Sequence, residues 1–170
     1  MAKMIVVNSS PIIALGKIEK IELLRKLFGS VIMSEQVYKE IISKPSSAEA
    51  IAVKKAVDDR WLKLHKTSRI KGVMGIGEAS SLSLASQLKQ PLIVDDRKAV
   101  FIANTMGIEC HGTLYVVLLA LKRGVIKNKR EAIDILNQLI SNNFYLRSDI
   151  LSEFYTLLNN IDNLRKDKEN

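Results

Sequence analysis

Five side chains have the type and the placement to do chemistry together: Asn8, Glu40, Glu78, Asp95 and Asp96. Asn8 follows the apolar run Met4-Ile-Val-Val7, and Asp95-Asp96 follow Leu92-Ile-Val94 in the same way. Glu78 opens a helical stretch after a glycine-rich connector, and Glu40 lies on the helical stretch after Val31-Ile-Met33. If the three apolar runs are parallel strands, their carboxyl ends share one edge of the sheet, and groups just beyond them converge there. Carboxylates that converge repel one another unless a hard cation such as Mg²⁺ or Mn²⁺ sits between them, bound through oxygen. Such an ion activates water and stabilises charge developing on a phosphate. Each residue also has an ordinary alternative, because an acid after a strand or in a first helical turn is a common capping choice.

The elements that must position these groups alternate along the chain. Met4–Val7 is apolar throughout, as expected of a strand buried on both faces at the centre of a parallel sheet. Val31–Met33, Trp61–Leu64, Leu92–Val94 and Ile108–Cys110 read as further short strands. Helices are expected over Ile12–Leu15, with Pro11 at its first position and Gly16 as its stop, and over Ile18–Phe28. Others begin at the Ser34 cap, at the capping box Ser46-Ser-Ala-Glu49, at Glu78, at Arg97 and at Thr113. Asn128 caps a helix with the stripe Ile133, Leu136 and Ile140. Phe144–Leu146 reads as extended, and a last helix runs to Leu158. The class is α/β with a mostly parallel sheet. Residues 1–161 are expected to form one domain, and 162–170 a charged tail that frays.

The chain has 170 residues, 47% of them hydrophobic, enough to bury a single core and too apolar for disorder. Lys and Arg exceed Asp and Glu by 26 to 18, and the formal charge of +8 attracts polyanions such as nucleic acid. The run Arg60, Lys63, Lys66, Arg69 and Lys71 contains no acid, and with Arg97 and Lys98 it is a candidate phosphate-backbone surface. A solvated surface run is the alternative. Cys110 is the only cysteine, which excludes an intrachain disulfide. No run is long enough to span a membrane and no signal pattern leads the chain, so a cytoplasmic protein is expected. Gly72, Gly75 and Gly77 lack the Gly-Lys-Ser/Thr of a phosphate-binding loop. Cys110 and His111 are adjacent in a strand and point to opposite faces, which argues against a shared zinc site.

Five segments occur in order: Asn8-Ser-Ser-Pro-Ile-Ile-Ala-Leu-Gly-Lys-Ile, Ser34-Glu-Gln-Val-Tyr-Lys-Glu-Ile, Gly75-Ile-Gly-Glu-Ala-Ser-Ser-Leu-Ser-Leu-Ala, Val94-Asp-Asp-Arg-Lys-Ala and Gly107-Ile-Glu-Cys-His-Gly-Thr-Leu. Together they resemble PIN-domain proteins of a prokaryotic, largely archaeal, subgroup related to VapC-like toxin ribonucleases. The resemblance spans roughly Met4 to Leu158. It implies a three-layer α/β/α sandwich around a parallel sheet of four or five strands. It also implies a Mg²⁺- or Mn²⁺-dependent ribonuclease, the toxin of a toxin–antitoxin pair, with RNA as substrate, a small antitoxin as partner and a homodimer as assembly. Transferred by motif, the metal-binding positions are Asn8, Glu40, Glu78 and Asp96, with Asp95 beside it. Ser9 or Ser10 matches the supporting hydroxyl, and Glu78 or Asp96 would position the attacking water. Asn8 departs from the pattern, which has aspartate there. Its amide oxygen can ligate a cation, but it brings no charge and cannot act as a base. A catalytically weak or inactive relative that binds RNA or a partner is the alternative that this substitution raises.

Overall fold

The computed structural model describes residues 4–67 and 75–166, with side chains to Ile161. Five short strands form its sheet: β1 (Met4–Val7), β2 (Ser30–Ser34), β3 (Leu62–His65), β4 (Leu92–Ile93) and β5 (Cys110–His111). Their spatial order is β3-β2-β1-β4-β5, and every pairing is parallel. The all-apolar run is therefore the central strand, with Val6 opposite Ile32 on one side and Leu92 on the other. Successive side chains of these strands enter opposite cores. Ile5, Val7, Val31, Met33 and Ile93 belong to one apolar cluster, and Val6, Ile32 and Leu92 to the other. A strand buried on both faces has no polar positions to alternate, which is why the sequence shows no period of two there.

Helices form the two outer layers of this α/β/α sandwich. The smaller cluster packs under α5 (Ile76–Leu88) and α6 (Arg97–Thr105). The larger one packs under α1 (Ser9–Lys17), α2 (Glu22–Leu27), α4 (Ala48–Asp58), α7 (Thr113–Lys122), α8 (Lys129–Ser141) and α9 (Ser148–Lys166). Helix α3 (Glu35–Ile42) adds Val37 and Ile41 to that larger core. Among the described residues no helix is long and apolar enough to cross a membrane.

Several local readings are corrected by packing. Gly16 does not stop α1, which runs on to Lys17. Its glycine is a close-approach position, because a Cβ there would lie 2.7 Å from Glu49 Cβ and 2.8 Å from Glu49 Cα on α4. Pro11 sits in the first turn, where its missing N–H leaves no intrahelical bond unmade. The stretch Ile18–Phe28 is split: Glu19 takes a left-handed backbone (φ 57°), and helix resumes only at Glu22. The cap of α4 is Ser47, whose hydroxyl accepts from the Ala50 amide, rather than a reciprocal Ser46–Glu49 box. In α8 the buried stripe is Ala132, Ile135, Leu136 and Leu139, leaving Ile140 exposed. Phe144–Leu146 is not a strand; it belongs to the loop joining α8 to α9.

Candidate functional site

The chain runs outward from β1 in one direction to β2 and β3, then crosses to the other side of β1 to make β4 and β5. The gap between the carboxyl ends of β1 and β4 is thus the topological switch point, where open α/β sheets bind ligands. Asn8 leaves β1 there and Asp95 leaves β4. The Asn8 amide N–H donates to the Ile93 carbonyl at 3.0 Å, and the Asp95 N–H donates to Ser10 Oγ at 3.4 Å.

Asn8 is only 1% exposed, and its side-chain Oδ1 accepts a hydrogen bond from Ser81 Oγ at 3.1 Å. The amide oxygen is therefore already serving a buried serine of α5. A second buried pair, Ser34 Oγ and Ser80 Oγ at 2.6 Å, joins the N-cap of α3 to the same helix, and Ser80 Oγ donates to the Gly77 carbonyl. These two serines set α5 against β1 and β2, and so set the position of Glu78 in the first turn of α5. Buried hydroxyls must find partners, and those available are the ends of the central strands. Ser9 is buried beside Asn8 at the start of α1.

Asp95 and Asp96 have different surroundings. Asp96 is exposed, and its Oδ1 accepts from the Ala99 amide at 2.8 Å as the N-cap of α6. Asp95 is half-buried and turned toward β5. Its Oδ1 accepts from the Thr113 amide at 2.7 Å and its Oδ2 from Thr113 Oγ1 at 2.6 Å. Gly112, the N-cap residue of α7, offers no side chain, so Asp95 supplies that helix start from another strand. A Cβ at Gly112 would come within 3.0 Å of Asp95 Oδ1, so the glycine leaves room for the carboxylate. Burial pushes the Asp95 carboxyl above the ordinary aspartate value of 3.8, and the two Thr113 hydrogen bonds pull it partly back. Removing the α6 cap by Asp96→Ala is expected to cost about 1 kcal/mol. Urea unfolding measures it, and an unchanged midpoint would show that α6 needs no cap.

Glu40 and Glu78 each lie beside a glycine at the start of α5, and of the two only Glu78 lines the cleft described below. A Cβ at Gly77 would lie 2.5 Å from Glu40 Oε2, and one at Gly75 would lie 2.3 Å from Glu78 Oε2. Both glycines thus leave room for a carboxylate, and the unpaired amides of a helix start favour negative charge. Glu40 is exposed near the end of α3, and Glu78 is half-buried. Ser10, Glu78, Asp95 and Asp96 all line one cleft of about 1030 Å³. Its walls continue past Lys17, Arg97, His111 and Tyr115 to the α8–α9 loop and α9. Among the described residues, no three His, Cys, Asp or Glu side chains are grouped so that they could hold a metal ion.

The donors nonetheless suit a hard cation in kind, being carboxylate and amide oxygens. They fall short in number: the position 8 oxygen is neutral and bonded to Ser81, and both Asp95 oxygens already serve Thr113. Mg²⁺ keeps several waters and is often held by one or two carboxylates; Glu78 and Asp95 are the half-buried carboxylates that line the cleft.

Among the expected phosphate-binding residues, Arg97 lines the cleft and Lys98 is exposed beside it on α6. Lys63 and Lys66 are exposed on and just after edge strand β3, on the other side of β1 from β4 and β5. Arg69 and Lys71 lie outside the described residues. Sequence reasoning did not single out Ser80, Ser81 and Thr113, whose importance comes from contacts 46, 73 and 18 residues away along the chain. His111 stacks on Tyr115 with ring centroids 3.8 Å apart, and its Nε2 lies 2.8 Å from Glu109 Oε1.

A search of curated proteins finds no match. Among solved structures, the chain is similar to a PilT N-terminus domain protein from the archaeon Sulfolobus solfataricus P2. The identity is 15%, the match covers 66% of this chain and 89% of that one, and the TM-score is 0.47. A family model described as PIN domain matches residues 4–160. That span runs from the first residue of β1 into α9 and takes in every strand of the sheet; the chain belongs to the PIN-domain family.

Proposed function

We propose that this PIN-domain protein binds RNA in the cleft at the switch point and hydrolyses it slowly, as a catalytically weakened relative of metal-dependent ribonucleases. The observation that carries this reading is Asn8, a neutral, buried amide hydrogen-bonded to Ser81 at the position where the wider family pattern has an acid. Replacing a carboxylate with an amide removes a full negative charge from the donor set and with it much of the attraction for a divalent ion. Both of the paired acids line the cleft, and we assign the ion to Asp95 because it is the half-buried one, whereas Asp96 is exposed and caps α6.

A Mg²⁺ or Mn²⁺ bound at Asp95 and Glu78 would supply Lewis acidity toward water and phosphate oxygens. The chain's own residues do the rest. Thr113 fixes the orientation of Asp95, and Ser81 holds Asn8 so that it cannot swing toward a weakly attracted ion. Lys17 and Arg97 line the same cleft and are placed to meet the phosphate backbone. Contacts of that kind give affinity that falls with salt.

Cleavage of labelled RNA in Mn²⁺ and in EDTA, compared between wild type and Asp95→Asn, tests the reading together with an RNA-binding assay in EDTA. RNA binding with little metal-dependent cleavage in either protein is expected. Wild-type cleavage that EDTA abolishes and Asp95→Asn lowers about a hundredfold, on the scale of losing a principal catalytic group, would show a fully active nuclease.

A further inference from the structure

The far wall of the cleft contains an aromatic ring that packing does not explain. Tyr145 is 85% exposed, the most exposed of the large apolar side chains among the described residues, yet it lines the same cleft as Asp95. Its loop is anchored on both sides. After α8, the Asn142 amide and side chain both donate to the Gln138 carbonyl, Asn143 takes a left-handed backbone (φ 64°), and the Phe144 amide donates to the Leu139 carbonyl at 3.0 Å. On the other side, Arg147 pairs with Asp149 and its carbonyl accepts from the Leu151 amide. Phe144 and Leu146 are half-buried against the larger core, so the residue between them is held outward. With the backbone anchored on both sides, a tyrosine ring has only two side-chain torsions to lose on meeting a flat partner.

The surroundings indicate what kind of partner. Tyr145 and the half-buried Tyr115 line this cleft, while Phe144 and Phe154 behind them belong to the packing of the larger core. Lys17 and Arg97 line it too. Rings interleaved with cations along a groove are the arrangement that holds single-stranded nucleic acid, with bases on the rings and phosphates on the cations. The acids at the sheet edge, and Glu153 on α9, would repel a polyanion, so the favourable contacts fall to the cations and to the exposed ring of Tyr145.

We propose that Tyr145 is a stacking platform for one unpaired nucleobase, anchoring RNA on the α8–α9 wall of the cleft while Lys17 and Arg97 meet its phosphates. This rests on the RNA-binding reading above and adds to it the residue that selects unpaired bases. Binding of a fluorescent single-stranded RNA of about 12 nucleotides, and of the matching duplex, is measured by anisotropy in EDTA. Tyr145→Ala is expected to weaken single-strand binding by about fivefold to a hundredfold, the range for losing one base–aromatic stack, while Tyr145→Phe keeps it. The duplex, whose bases are not available for stacking, should bind more weakly and be indifferent to both substitutions. Because Tyr145 is exposed, unchanged melting temperatures are expected to confirm that both variants fold. Equal single-strand affinity of wild type and Tyr145→Ala overturns the stacking role and leaves RNA binding standing. No RNA binding by the wild type at low salt overturns both and leaves the aromatic wall to a protein partner.

Discussion

Asn8→Asp is expected to destabilise the protein in EDTA and to make its stability respond to Mn²⁺. Position 8 is 1% exposed, so the new carboxylate would be buried, with the Ser81 hydroxyl as its known donor. Leaving a buried charge without a compensating partner costs on the order of 3–5 kcal/mol. For a chain of this size that corresponds to a fall of about 6–20 °C in melting temperature. A divalent cation supplies the missing partner, and binding only the folded state returns stability in proportion to RT ln(1 + [ion]/Kd). The same substitution should raise metal-dependent RNA cleavage by at least about tenfold, since it restores a negative charge at the carboxyl end of the central strand, at the switch point. Thermal melts over a Mn²⁺ series, read beside the cleavage rate, provide the check. If Asn8→Asp melts like the wild type in EDTA and gains neither a Mn²⁺ response nor activity, the amide is not what limits this site.

Asp95→Ala should be the most damaging single truncation at the sheet edge. Thr113 is fully buried, and its amide and hydroxyl both donate to Asp95. Truncation leaves two buried donors without acceptors, at about 1–3 kcal/mol each. A total of about 2–6 kcal/mol is expected in urea unfolding. Asp95→Asn separates packing from charge. Its oxygen still accepts from the Thr113 amide, and its NH₂ can donate to the Thr113 hydroxyl, which accepts as readily as it donates.

The pH dependence follows from the direction in which burial moves this group. The folded Asp95 carboxyl titrates above 3.8, so between that value and its folded one the native state binds the extra proton. Stability from this group is therefore greatest below pH 3.8, falls as pH rises through the folded value, and is level above it. Asp95→Asn should remove that fall and gain on the wild type toward neutral pH. Superimposable stability–pH curves for the two proteins would show that Asp95 is not held in its strained, desolvated state.

The order of strands and helices was legible from residue pattern alone. Met4–Val7 is apolar at every position and bounded by turn residues, as suits a strand covered on both sides, and it proved to be the centre of the sheet. The Ser34 and Asn128 caps were equally local, because each side chain bonds an amide three residues on. Element boundaries were less legible where a distant neighbour decided them. Gly16 looked like a helix stop and is a contact with α4. The interruption after Ile18 depends on Glu19 in a left-handed backbone, which its type does not announce.

For the site, the sequence by itself determined which donors exist and that one of them is uncharged: Asn8, Glu40, Glu78, Asp95 and Asp96. Only the tertiary structure decided how these groups are used. Asp95 and Asp96 are adjacent and chemically identical, yet one braces α7 through Thr113 and the other caps α6, because the chain turns between them as it leaves β4. Asn8 is held by a serine 73 residues away. Hydrogen-bond partners so far apart along the chain are brought together by the parallel sheet and its crossovers, and no local pattern records them. The residues name the chemistry that is available, and the packing determines how much of it remains for a ligand.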